Sequence, residues 1–344
     1  MKLSVAYLTS IRNSASPYRL LDELGQEVAW ANRFLDAQRV RQLSLRSLRA
    51  YAYDLLHFAR WWNHPSAPSV AAIDQDTLLD YVRYQLDRQP PPTPQTVNHR
   101  LTVLHCLFRF HQGSDIPAGS SHFLRTCPRR SPLGYGRPSS AAVSTLRLKA
   151  PQRLIVPLSA EQVAQFWRSF HTFRDLAVVG LMLLDGLRSC EILSLRLEDL
   201  GLAEAHLRVQ GKGNKQRLLP LPQELCQVLD EYLRLERPPT NSPALFICLK
   251  GRHRGYALTA AGLRSLFRYH RTGSHTPLAN PHRFRHTFGA DMVRAGISLP
   301  ALQHLMGHSQ IRTTMAYVQL APNDVWREYA RVIEKRTPLD AAPR

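Results

Sequence analysis

Lysine and acid are both scarce in this 344-residue sequence: only six of its 45 basic residues are lysines, and 26 acidic residues leave a formal net charge of +19. The imbalance is not a tail effect, since residues 1–150 hold 19 Lys/Arg against 10 Asp/Glu (+9) and the remainder 26 against 16 (+10). A chain basic in both halves is expected to meet a polyanion along both. The five cysteines, Cys106, Cys127, Cys190, Cys226 and Cys248, are odd in number and lack CxxC spacing, which argues against a disulfide framework or a thiolate metal site. No run of 18 apolar residues occurs, and the opening MKLSVAYLTSIRNSASPYR lacks the apolar segment of a signal peptide, so a soluble intracellular chain without membrane contact is expected. Internal repeats and low-complexity tracts are also missing. What remains is 44% hydrophobic, a globular composition long enough for two cores.

The informative residues lie between positions 183 and 320. PHRFRHTFGADMVRAG reads as a helix with Pro281 in its first turn and Gly296 just past its end. His282 and Arg285, three apart, project from one face and lie off the apolar stripe of Phe284, Phe288, Met292 and Val293. Upstream, LLDGLRSCEILSLRLEDL sets Arg188 before a short amphipathic helix, with Glu191 three residues on. HLRVQGKGNKQRLLPLP reads as a hairpin, strands 206–210 and 215–219, whose tip carries Lys212; Lys215 stands at the start of the return strand. Two of six lysines in one turn matters, because lysine, unlike arginine, gives up its proton when its surroundings lower its pKa. LMGHS then supplies His308, and TTMAYVQL supplies Tyr317. Two arginines, two histidines, a lysine and a tyrosine in a basic chain point to chemistry on a phosphate. His282/His286 and His304/His308 have the i, i+4 spacing of metal ligands, yet the HExxH glutamate is missing and Arg283 and Arg285 would crowd a cation. No metal or other cofactor is expected.

In order and spacing, Arg188, Lys212, His282, Arg285, His308 and Tyr317, within GLRSCEILSL, VQGKGNKQRLLPL, HRFRHTFGADMVRAG and LMGHSQIRTTMAYVQL, resemble the tyrosine recombinase (phage integrase) family. Arg283-Phe284 departs from the acidic or small residue followed by Leu that is commoner in the family, but between the matched positions. The residue types supply the parts of a phosphoryl transfer. Arg188 and Arg285 match nonbridging oxygens with planar forks, Tyr317 is the nucleophile, and His282 is the candidate base. Lys212 would protonate the leaving 5′ oxygen and His308 would hydrogen-bond the phosphate. Glu191 would orient Arg188 or His282, unless it is an ordinary helix-surface glutamate. The resemblance implies a 3′-phosphotyrosyl intermediate reversed by a 5′-hydroxyl, without metal or ATP. It also implies double-stranded DNA with inverted core sites as partner, a tetramer on that DNA, and a prokaryotic, cytoplasmic, nucleoid-associated enzyme.

The fold expected is mainly α, an N-terminal helical bundle of core-binding, SAM-like type followed by an α+β catalytic domain with a small antiparallel sheet. Residues 1–127 form the bundle: helices read through 26–40, from Ser44 to about 63, from Asp74 or Asp76, and from Thr93-Pro94. Trp61 and Trp62 read as packing anchors. Arg46, Arg49 and Arg100 are candidate DNA contacts there, and Arg129 and Arg130 in the Pro/Gly/Ser-rich linker 128–157. The 20–25 residues before the first helix are too few for an independent arm domain. Ser159 and Gln162 open the catalytic domain, 158–321, as a capping box. The tail 322–344 reads as a helix capped by Asn323 with Val325, Trp326, Tyr329, Val332 and Ile333 on its apolar face, which docks either on its own domain or on a neighbouring protomer. Two other functions use the same residues or fold: a type IB topoisomerase-like enzyme relaxing one duplex, and a non-catalytic DNA-binding protein.

Overall fold

The computed structural model describes residues 2–9, 13–62, 70–117, 146–151, 156–211, 215–308 and 311–318, in two units that divide between Gln152 and Arg153. Arg129, Arg130, most of the linker, the Lys212 turn and the 322–344 tail lie outside these residues.

The first unit opens with an antiparallel hairpin, β1 (Ser4–Tyr7) and β2 (Tyr18–Leu21), that the sequence reading does not include. Four-residue strands are too short to give a clear alternation, but Leu3 and Leu20 enter the core of the helices that follow. These are α1 (Ala29–Val40), α2 (Leu45–Trp62), α3 (Gln75–Leu86) and α4 (Pro94–Gln112). The starts of α2, α3 and α4 are set by side chains that satisfy the first free N–H groups: Ser44 with Ser47, Asp74 in a reciprocal box with Thr77, and Thr93 with Thr96. Phe34, Leu55, Phe58, Tyr81, Leu101 and Leu107 fill the centre. Trp61 and Trp62 pack on Phe58 at 5.8 and 5.5 Å between ring centroids, anchors as expected. Part of the expected linker is built into this unit. Asn98 accepts the Leu148 N–H at 2.8 Å and donates to its carbonyl at 2.9 Å, and Leu146 and Leu148 pack on the core.

The second unit contains α5 (Ala160–Arg168), α6 (Phe173–Leu183), α7 (Ser189–Ser194), α8 (Gln223–Glu231), α9 (Ala260–Gly273), α10 (Pro281–Arg294), α11 (Leu299–Met306) and α12 (Ile311–Val318). Between α7 and α8 runs a three-stranded antiparallel sheet in the order β3 (Leu200–Gly201), β4 (His206–Gln210), β5 (Gln216–Pro220). His206 faces Pro220 and Gln210 faces Gln216, so the hairpin read from the alternation is present with its return strand one residue later. The apolar α6 lies in the middle of the core with Phe166, Leu207, Leu229, Phe267 and Phe284. A smaller cluster of Phe288, Leu302, Met306 and Tyr317 joins α10, α11 and α12. The fold is the mainly helical one expected, with small antiparallel sheets in both units. No helix among the described residues is long and apolar enough to cross a membrane.

Candidate active site

Arg188 occupies the N-cap of α7, where Glu191 reaches back to its backbone N–H at 2.9 Å while Arg188 Nη1 donates to Glu191 Oε1 at 2.8 Å. One carboxylate therefore both starts the helix and aims the guanidinium. Glu191 is only 2% exposed, which rules out the helix-surface alternative. Arg188 Nη2 donates to the carbonyl of Gly307 at 3.1 Å, tying α7 to the turn after α11.

Arg285 differs from its sequence reading. Its position off the apolar stripe suggests an open face, yet it is 5% exposed, its Nη1 donating to Gly186 O and its Nη2 to Met306 O at 2.6 Å. The helical wheel places it away from Phe284 and Phe288, but the turn at Gly186 and the end of α11 cover that side and their carbonyls replace water as its partners. Burial, then repulsion from Arg188, push its pKa down to about 10, still protonated at neutral pH.

Arg217 joins this pair, and the sequence reading missed it. It sits on β5, 8% exposed, and clamps Glu191 with both arms: Nη1 to Oε1 at 3.1 Å and Nη2 to Oε2 at 3.0 Å. Its Nε donates to Leu305 O at 3.0 Å. Gly307, at φ +60°, turns the chain close to the same guanidinium; a Cβ there would stand 2.7 Å from Arg217 Nη1. The alternation of β5 held the missing signal: Arg217 shares the inward face with Leu219, and an inward arginine requires a carboxylate. Burial disfavours the Glu191 charge, but hydrogen bonds from Arg217 and the Arg188 backbone hold its pKa below the ordinary 4.5.

His308 and Tyr317 sit beside this cluster. His308 Nδ1 is 2.9 Å from the Thr314 hydroxyl, and burial, then the Arg285 and Arg188 charges, push its pKa down to about 4. It is neutral at pH 7. Tyr317 is 2% exposed, its ring stacked on His308 at 6.2 Å and tilted to His286 at 5.5 Å. Gly289 makes room for it: a Cβ there would lie 2.7 Å from Tyr317 Cζ. Burial raises the Tyr317 pKa, while Arg285 and Arg188 act in the opposite direction. His286 is buried enough that its pKa falls to about 4, with His282 and Arg285 adding to the shift. His282 itself is exposed in the first turn of α10, and His304 is exposed on α11. The β4–β5 hairpin closes through Gly211 N–H to Lys215 O at 2.7 Å, with Lys215 exposed beside the undescribed Lys212.

In the first unit Arg46 and Arg49 are exposed, and Arg49 lies over the Tyr53 ring at 5.0 Å beside a cleft of about 490 Å³ between α2 and α4. Arg100 does not share that surface. Its guanidinium turns inward to Gln85 Oε1 at 2.8 Å and His57 Nε2 at 3.2 Å, with Asp54 Oδ1 at 3.7 Å, because Gln85 is buried and His57 and Asp54 half-buried, and they need a donor.

The family model described as phage integrase matches residues 157–324, and the N-terminal SAM-like domain model of phage integrases matches residues 31–112. The tyrosine recombinase XerD of Ralstonia nicotianae is 31% identical over 297 residues, 84% of this chain and 89% of its own. The chain belongs to the tyrosine recombinase family. A second relative, tyrosine recombinase XerC of Pelobacter propionicus, is 29% identical over 317 residues, 88% of this chain and 95% of its own. The fold matches the XerH site-specific recombinase bound to a palindromic difH substrate, with a TM-score of 0.64 over 96% of this chain and 100% of that one at 18% identity. As a tyrosine recombinase, the protein is a site-specific recombination enzyme that cleaves and rejoins DNA.

Proposed function

We propose that Arg188 and Arg285 hold the scissile phosphate, Tyr317 attacks it, and a 3′-phosphotyrosyl link stores the bond until a 5′-hydroxyl reverses it. The observation that carries this reading is an uncompensated charge: Arg188, Arg217 and Arg285 surround one carboxylate, Glu191, and leave two positive charges for an anion. A phosphodiester fits, since neutralising its nonbridging oxygens is the main requirement for transfer. His308, neutral at pH 7, offers its second ring nitrogen as a hydrogen-bond partner of the phosphate. His282, at the exposed start of α10, is the base that takes the Tyr317 proton, and Lys212 the acid that gives one to the leaving 5′ oxygen. Glu191 positions Arg188. No step consumes a nucleotide or calls for a metal.

The test is an SDS-resistant protein–DNA adduct formed on a nicked core site in the presence of a chelator. Wild-type protein should form it, and Lys212→Ala should slow it far more on normal DNA than on DNA with sulfur as the leaving atom, because a thiolate departs unprotonated. Equal slowing on both substrates would remove Lys212 from the acid's role. Absence of any wild-type adduct would sink the covalent mechanism.

The DNA partner we propose carries inverted core sites, with exposed Arg46 and Arg49 on the first unit, Arg129 and Arg130 in the linker and Lys215 on the hairpin contacting its backbone. Four protomers assemble on two sites, on the nucleoid of a prokaryotic cytoplasm. The apolar face of 322–336 docks on a neighbouring protomer, five large side chains contributing roughly 1.5–3 kcal/mol each if fully buried. Deleting 322–344 should leave single-site binding intact and reduce synapsis and strand exchange. A truncated protein that unfolds or loses single-site binding would place the helix on its own domain and favour a monomeric, topoisomerase-like enzyme.

A further inference from the structure

We infer that the tip between Lys250 and Arg254 is a further DNA contact, apart from the cleavage residues and the contacts proposed above, that grips backbone phosphates of the duplex. Three observations converge on it. First, the tip is rigidly built. Ile247 and Ala257 pair, the Cys248 N–H donates to Tyr256 O at 2.8 Å, and the Gly255 N–H returns to Cys248 O at 2.9 Å. Two further turns close inside this frame, Arg254 N–H to Gly251 O and Tyr256 N–H to His253 O, each at 3.0 Å. Gly251 and Gly255 take φ values of +74° and +84°, and the Thr240 hydroxyl fixes Gly255 O at 2.9 Å. A loop held this firmly presents its side chains in one arrangement, which lowers the entropy lost on binding.

Second, the side chains it presents are Lys250, Arg252, His253 and Arg254, all exposed, and among the described residues none of the three full cations makes a side-chain hydrogen bond or ion pair. Elsewhere on the same unit four exposed arginines do find acids, Arg196 with Glu198, Arg208 with Asp199, Arg234 with Asp230 and Arg294 with Asp291. Third, the surrounding sequence offers the tip no local partner. From Arg237 to Ala290 there are 54 residues without one Asp or Glu, carrying nine Lys/Arg. Like charges held together on a fixed scaffold repel, and an external polyanion relieves that repulsion. Duplex phosphates are the polyanion this enzyme's activity supplies, so the inference rests on its reading as a DNA recombinase.

The experiment compares wild-type protein with K250A/R252A/R254A, and with R252K/R254K, on a core-site duplex and an unrelated duplex over a salt series. Each lost phosphate contact should lower the steepness of log K against log salt by about 0.9, so the triple variant should be shallower by about two to three. The loss should be similar on both duplexes, because phosphates carry no sequence. The lysine pair should keep the wild-type slope. Thermal melting should be unchanged, the altered groups being exposed and unpaired. A wild-type slope in the triple variant would overturn the inference, as would a loss confined to the core site or a lysine pair as weak as the alanines, both of which indicate base reading. Adduct formation by the wild-type protein, measured at saturating DNA, reports the cleavage mechanism separately, so failure of one is distinguishable from failure of the other.

Discussion

Tyr317→Phe should abolish the covalent adduct, a loss on the order of 10⁴-fold or more, the scale on which removing a nucleophile acts. The fold should survive the change. The Tyr317 ring, stacked on His308 and seated over Gly289, keeps all its apolar contacts as phenylalanine. Its hydroxyl makes no hydrogen bond within the described residues, so removing it leaves no buried partner unsatisfied. Binding to an uncut site should likewise persist, because the guanidinium forks of Arg188 and Arg285 remain. A gel shift at wild-type affinity with no SDS-resistant band is therefore the expected result. Tyr317 is 2% exposed, so attack on a duplex requires α12 to move and uncover it. Limited proteolysis or hydrogen exchange at 311–318 should thus increase when cleavable DNA is bound. A band that persists in the phenylalanine variant would move the nucleophile elsewhere, and Tyr329 is the next tyrosine along the chain.

Which parts of this site were legible from sequence depends on the kind of signal each residue leaves. Caps are local: Asp74, Thr93 and Ser159 each act within three residues, and the chain itself states them. The β4–β5 hairpin is legible because a two-residue alternation repeats on both sides of a Gly-rich turn. Arg188, Arg285, His308 and Tyr317 were found through their types and order, and the structure brings them together beside the end of α11 and the turn after it. The burial of Arg285 is a different kind of fact. Apolar periodicity marks only the side chains that water expels, whereas Arg285 is covered by the carbonyls of Gly186 and Met306, 99 and 21 residues away in sequence. Arg217 was missed for the same reason: its partner Glu191 lies 26 residues upstream, and neither residue announces the other. Arg100 shows the reverse error, an arginine on a helix read as facing DNA that instead satisfies Gln85 and His57.

Arg217→Met should test whether that missed residue is scaffold alone or also sets the phosphate clamp. The substitution keeps much of the length and removes every donor, so Glu191 loses two of its hydrogen bonds and Leu305 O loses one. Breaking one side of a buried ion pair costs about 3–5 kcal/mol. The lower end is expected here, since Glu191 keeps Arg188. The pH dependence supplies a sign. With its pKa held below 4.5, Glu191 contributes stability that is fully present above that pH and is lost as pH falls through the folded value. In the methionine variant the folded pKa rises, so the gap between wild type and variant should narrow on acidification. The kinetic readout separates the two roles. Arg188 is aimed by the same carboxylate that Arg217 clamps, and a displacement near 1 Å at a reacting group costs on the order of 10²-fold in rate. Cleavage at saturating DNA and at a temperature where the variant is fully folded should therefore fall by about that factor, with single-site affinity little changed. Arg217→Lys, which retains charge without the two-armed geometry, should recover stability more than rate. A variant that melts earlier but cleaves at the wild-type rate would confine Arg217 to the scaffold.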